Sequence, residues 1–145
     1  MTVSAPTSEQ GGQARQTTAV KILLYSDNAD ARNEVKSSLG GTLGAAGRPI
    51  EWTEVATHEI AMITCHEQTF DLVVMDNDAS RLGGVGLTQQ MRNELHWEPV
   101  ILLLLARQQD AWLAAWSGAD AALLRPVDPF KLAATVADLV GETQA

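Results

Sequence analysis

The sequence has a single cysteine, Cys65, so no disulfide can form within the chain. It lacks a long hydrophobic run: the longest unbroken apolar stretch, Val100 to Ala106, falls far short of the roughly 20 residues that cross a bilayer. No positively charged start leads into an apolar signal core, and a cytoplasmic address is expected. Positive charge is scarce, with 10 Lys and Arg against 18 Asp and Glu and a formal net charge of -8. Without a basic cluster, neither nucleic acid nor an anionic membrane surface is an expected partner. The length fits one domain with little left over, so no attached DNA-reading module is expected and any output must leave through the domain's own surface.

What the chain does have is material for a core. Hydrophobic residues make up 46%, and 35 of the 145 residues are Leu, Ile, Val or Phe, which excludes wholesale disorder. The exception is Met1 to Thr18, rich in Ser, Thr, Gln and Gly, which reads as a flexible tail.

From Val20 onward, short apolar runs alternate with segments of helical spacing. The runs are Val20 to Ser26, Ile50 to Ala56, Asp71 to Asp76, Val100 to Leu105 and Ala121 to Leu124, and they lack the in-out alternation of a half-exposed sheet. Helical spacing joins Ala31, Val35 and Leu39; Ile60 and Ile63; Leu87, Met91 and Leu95; Trp112 and Trp116; and Leu132, Val136 and Leu139. The last helix is well punctuated, with Asp128 to cap it, Pro129 at its first position and Gly141 just past its end. The Gly-rich stretch Gly40 to Arg48 reads as a mobile surface loop, and Gly83, Gly84 and Gly86 read as a turn before the third helix.

Five such β-α units predict an α/β fold, a doubly wound five-stranded parallel sheet of order 2-1-3-4-5 with helices on both faces. In that order the first and third strands flank the switch point, where a crevice opens at their carboxyl ends. The first strand ends in Tyr25, Ser26 and Asp27 and the third in Asp76, Asn77 and Asp78, so distant carboxylates meet at one mouth. Acidic oxygens in a crevice suit a hard cation such as Mg2+, and a carboxylate beside it can take a phosphoryl group as an acyl phosphate. Arg125, at the end of the fifth strand, is placed to offset the charge.

Three segments carry a resemblance to a known family. KILLYSDNADAR resembles the start of a response-regulator receiver domain, DLVVMDNDASRLGG its phosphoacceptor strand and following loop, and GADAALLRPVDPFKL its closing strand, proline and helix. With the strand from Pro99 to Ala106, the likeness covers Val20 to Val140. It implies a flavodoxin-like receiver over residues 19–141, between tails at 1–18 and 142–145. Asp76 matches the phosphoacceptor and Asp27 the second member of the acidic pair, while Asp78 sits where the backbone carbonyl serves as a metal ligand. The resemblance also implies a cis peptide between Arg125 and Pro126.

The departures from the family pattern point to an atypical, degenerate receiver. Ser26 stands where the family has its first acidic residue, which weakens the expected hold on Mg2+. Leu104 or Leu105, depending on alignment, replaces a Thr or Ser hydroxyl, and Ala122 replaces the switch aromatic. Arg125 replaces an almost invariant Lys and, being planar and bidentate, can clamp Asp76 with no phosphate present.

These features predict a stand-alone receiver that is not an enzyme and works mainly by phosphorylation-independent protein binding, with Arg125 and Asp76 paired at rest. The alternative is a conventional phosphoacceptor of a two-component phosphorelay, and a small-molecule pocket in the crevice is a third class. Expected partners are a histidine kinase or phosphorelay protein, a regulated target protein, or a second copy in a homodimer. Trp112 and Trp116, one helical turn apart, are either core residues or an exposed interface anchor. Ser26 is equally a cap for the following helix, and Arg125 a surface cation. Cys65 beside His66 reads as a packing detail of its helix.

DNDAS is no calcium loop, since Arg81 and Leu87 stand where an EF-hand needs Gly and Glu.

Overall fold

The structure, a computed structural model, describes residues 18–78 and 83–141. Apart from Thr18, the expected tails at 1–18 and 142–145 lie outside the described residues, as does Arg81. The chain runs β1 (Val20–Tyr25), α1 (Ala29–Leu39), β2 (Thr42–Leu43), β3 (Arg48–Val55), α2 (His58–Glu67), β4 (Leu72–Asp76), α3 (Gly83–Glu94), β5 (Ile101–Leu105), α4 (Ala111–Ser117), β6 (Ala121–Leu124) and α5 (Pro129–Val140). A single 3-10 turn, Gln108–Asp110, leads into α4. The sheet order is β2-β3-β1-β4-β5-β6, parallel throughout except for β2.

The doubly wound order expected from the sequence is therefore present, with one addition. The Gly-rich stretch forms the edge strand β2, which turns back antiparallel on Arg48 and Pro49. Leu43 is the reason, because its buried side chain joins the core and anchors a segment whose glycines suggested only mobility. Gly40 ends α1 at φ 85, where its N–H reaches the Lys36 carbonyl at 2.9 Å.

Two core layers flank the sheet. On one face Val20, Ile22, Leu24, Val74, Leu102 and Leu104 pack against α1 and α5. On the other, Leu23, Met75, Leu103 and Leu105 pack against α2, α3 and α4. The central strands β1, β4 and β5 are buried on both faces, as the absence of alternation predicts. The outer strands differ: of β3 only Val55 is fully buried, and β6 is half-exposed along its length, because each lies at or beside an edge.

The helices follow their apolar stripes, except α2 and α4, whose Trp112 and Trp116 are exposed. Asp128 accepts from the N–H groups of Phe130 and Lys131, Pro129 opens α5 and Gly141 closes it at φ 79. In α2, however, the core face is Ala61, Met62 and Cys65, while Ile60 and Ile63 are 48% and 52% exposed. Two Ile at i and i+3 have the spacing of a buried stripe, yet the smaller residues let this helix approach the sheet.

Gly83 and Gly84 also depart from the expected turn, since they form the first positions of α3. An added Cβ at Gly84 would lie 2.6 Å from Leu103 Cδ2 and 3.2 Å from Asn77 Cα. Gly is required there because the helix comes almost into backbone contact with the strand that carries Asp76.

Candidate functional site

The site is built at the carboxyl ends of β1, β4 and β6, where backbone ladders extend one residue past each strand. The Ser26 N–H donates to the Val55 carbonyl at 3.2 Å, Asn77 to Leu104 at 2.9 Å and Arg125 to Leu105 at 2.8 Å. These bonds fix the direction in which Ser26, Asp76 and Arg125 enter the mouth. The peptide bond after Arg125 is cis, as the resemblance implies.

Asp76 is the centre of the cluster and is only 3% exposed. Its Oδ2 accepts the Ser26 hydroxyl at 2.8 Å and lies 3.6 Å from Arg125 Nη1, while its Oδ1 accepts the Asp78 N–H at 2.9 Å. A buried carboxylate needs such partners, and the chain supplies these three. Ser26, 2% exposed, is as fully bonded: its Oγ also accepts from the Asn28 N–H, and its carbonyl accepts from Arg32 Nη1. Ser26 therefore belongs to the site. The cap of α1 is Asn28, whose Oδ1 accepts from Asp30 and Ala31.

Asp27 and Asp78 are exposed at the rim. Burial, and after it the carboxylates of Asp27, Glu59 and Asp76, push the Tyr25 phenol above its ordinary range, so these acids all act on one point at the base of the mouth. Asn77 ties the next helix to the site, since its Oδ1 accepts the Val85 N–H at 3.1 Å.

The positions that replace the family's polar switch are apolar and packed. Leu104 is the register partner of Asp76 and faces the α1–α5 core, whereas Leu105 faces the opposite layer. Leu105 and Ala122 share a hollow of about 350 Å³ that Gln108, Ala111, Leu124 and Lys131 also line. Trp112 and Trp116 lie on α4, outside the cluster around Asp76, and each is 66% exposed, so of the two readings open for them the core one does not hold. Cys65 is fully buried in α2, where burial alone pushes its thiol up to about 11, and it packs there as expected.

Two acids of this neighbourhood escaped the sequence reading. Glu59 lies in the first turn of α2, and Glu34 on α1 places Oε1 3.4 Å from Arg125 Nε and Nη2. The only available signal for Glu34 was its place beside the buried stripe of Ala31, Val35 and Leu39, on a helix that shares a sheet face with α5.

The donors present for a divalent cation are the carboxylates of Asp27 and Asp76, the Asp78 carbonyl and, weakly, the Ser26 hydroxyl. Mg2+ keeps several waters and can make do with one or two carboxylates, so this set fits a weakly held, mostly hydrated ion. Among the described residues no group of three or more His, Cys, Asp or Glu could hold a metal.

No family-level sequence profile matches the chain. A response regulatory protein of Mycobacterium tuberculosis, from strains CDC 1551 and H37Rv alike, is 40% identical over 124 residues, which cover 86% of this chain and 93% of the relative. Among solved structures, the receiver domain of a Francisella response regulator superimposes with a TM-score of 0.69 at 20% identity, covering 83% of this chain and 96% of that one. A chemotaxis response regulator of Vibrio cholerae gives 0.68 at 22% identity over 84% and 99%. The receiver domain of a Pseudomonas aeruginosa sensor histidine kinase, with magnesium coordinated in its active-site cleft, gives 0.69 at 23% identity over 86% and 100%.

Proposed function

The chain belongs to the response-regulator receiver family of two-component signalling, and from that membership we propose that it works mainly as a protein-docking module whose binding does not depend on phosphorylation. The observation that carries this reading is the set of partners that Asp76 finds within the chain. Ser26 bonds Oδ2, with Arg125 3.6 Å away, and the Asp78 N–H bonds Oδ1, so the chain itself supplies partners to both oxygens of the carboxylate at the phosphoacceptor position. Leu105 and Ala122, on the α4 side of the sheet, and Leu104, on the opposite side, then offer no hydroxyl or ring to relay a change.

The docking face is formed by α4, β6 and the start of α5. Trp112 and Trp116 are exposed on α4 and Leu124 on β6, where Leu124 also lines the hollow beside Ala122. Two neighbouring tryptophans are far more costly to leave in water than scattered aliphatics, and tryptophan is the residue most enriched at energetic centres of interfaces. The partner is a protein of the signalling pathway, either a histidine kinase, a phosphorelay protein or a regulated target. The domain itself turns over no substrate.

Affinity capture from the native cytoplasm tests this, comparing the wild type with Asp76→Ala and with a Trp112→Ala/Trp116→Ala double variant whose melting is checked. Retention of the same partner by Asp76→Ala and its loss from the double variant are expected. Loss from Asp76→Ala alone overturns the reading.

A second reading has support in the co-location of Asp27, Asp76, Asp78 and Arg125 at one mouth: a conventional phosphoacceptor. Asp27, Asp76 and the Asp78 carbonyl would hold Mg2+, which when bound would offset charge on an arriving phosphoryl group. Asp76 would be the nucleophile, and Arg125 would turn its guanidinium to the phosphoryl oxygens. Saturable Mg2+ binding that disappears in Asp27→Ala favours this second reading.

A further inference from the structure

Arg125 has two anionic partners, and the docking reading uses only one. One edge of its guanidinium, Nε and Nη2, faces Glu34 Oε1 at 3.4 Å, and the remaining Nη1 faces Asp76 Oδ2 at 3.6 Å. Tight charge-assisted bonds are about 2.7–2.9 Å long, so the cation is shared between α1 and β4 and committed to neither. The sharing takes place in a shielded setting, with the Arg125 and Glu34 side chains 24% and 29% exposed. There a carboxylate that loses its partner has a real cost.

We propose that Glu34 is a positioning residue: it holds Arg125 in this shared place and thereby ties the charge on Asp76 to helix α1. The inference rests on the resting pair of Arg125 and Asp76 argued above. Neutralising Asp76 hands the guanidinium to Glu34, and adding negative charge at Asp76 draws it away. Helix α1 feels the exchange on one flank only. Its other flank is fastened by Arg32 and Lys36, one turn apart, which both pair with Glu54 on β3. The Trp-bearing face lies on the side of the sheet where Leu105 and Ala122 pack, and among the described residues the hydrogen-bond and ion-pair partners of Asp76 are Ser26, Asp78 and Arg125. The state of Asp76 is therefore read at α1, while the face of Trp112 and Trp116 is blind to it.

The test follows the Arg125 Nε–H signal, the α1 backbone amides and the Trp indole N–H signals by NMR in the full chain. The panel is wild type, Asp76→Asn, Glu34→Gln, the Asp76→Asn/Glu34→Gln double variant, and Glu54→Gln as a control that breaks an ion pair of α1 without touching Arg125. Asp76→Asn is expected to shift the Arg125 signal and the α1 amides around Glu34 and to leave the indole signals in place. In the Glu34→Gln background the same substitution no longer moves α1, whereas Glu54→Gln leaves the Arg125 signal unchanged and keeps the coupling. An Arg125 signal that ignores Asp76→Asn refutes the resting pair. A signal that responds to Asp76→Asn while α1 responds equally with and without Glu34 refutes the positioning role alone.

Discussion

Replacing Gly84 by alanine puts a methyl group where the first turn of α3 meets the strand that carries Asp76. The added Cβ would stand 2.6 Å from Leu103 Cδ2, 3.2 Å from Asn77 Cα and 3.3 Å from Met75 Cβ. Optimal carbon separations are about 3.5–4.0 Å, so the first contact is short by about 1 Å. Leu103 can give way only by rotating within a packed layer, since it is fully buried in one cluster with Met75, Leu87 and Met91. Of the other two atoms, Met75 Cβ belongs to the strand itself and Asn77 Cα to the residue just past it. Overpacking of this kind costs about 1–3 kcal/mol, and the better helix propensity of alanine returns up to about 1 kcal/mol, which, if returned in full, leaves a net loss of about 0–2 kcal/mol. For a domain of this size each kcal/mol lowers Tm by about 3–5 °C.

Because Met75 and Asn77 flank Asp76, the amide signals of Asp76 and Asp78 should move as well. Gly41→Ala is the matched control. Nothing lies within 4 Å of its Cβ and its φ is not positive, so it should stabilise by about 0.4–1 kcal/mol through the unfolded chain. Urea melts of the two variants decide the matter. A Gly84→Ala protein as stable as Gly41→Ala would show that α3 does not press on β4 as described.

Three further expectations concern stability and reactivity. The Tyr25 phenol is raised by burial and by neighbouring carboxylates, so its titration leaves stability intact below the free value of 10.0 and erodes it as pH rises through the higher folded value. In Tyr25→Phe that component of the alkaline loss should vanish from the melting curves. Cys65, with its thiol raised to about 11, should resist a thiol reagent at pH 8 and react only as fast as the domain opens; prompt native-state labelling would contradict its placement. Arg92 bonds the Pro99 and Gly118 carbonyls together with Glu98 and Asp120, so Arg92→Ala should cost about 1–3 kcal/mol by denaturant melting, and Lys should not restore it.

The order of the central strands was legible because burial on both faces leaves an unmistakable apolar run in β1, β4 and β5. The last helix was legible because its two caps and its proline each have a local cause. Elsewhere the tertiary contact decided. Gly83 and Gly84 read as turn residues because a helix seldom begins with glycine, and only the approach of Asn77 and Leu103 explains why this one does. Ile60 and Ile63 have helical spacing on the solvent side of α2, a pattern that spacing alone cannot orient. The exposure of Trp112 and Trp116 was open for the same reason. At the site, Ser26, Asp76 and Arg125 could be placed together from strand order, since each lies at or just past the carboxyl end of its strand. Glu34 could not, because its role depends on which way a long arginine side chain turns once three strands and a helix have converged.

The account's central claim is that Asp76 is held by Ser26 and Arg125 and does not need a phosphoryl group for the domain to act. Incubation with a small phosphodonor and Mg2+, followed by intact mass with site mapping and by the Trp112 and Trp116 indole signals, measures it most directly. The expected result is substoichiometric modification with unmoved indole signals. Prompt, stoichiometric modification at Asp76 together with displaced tryptophan signals would contradict it.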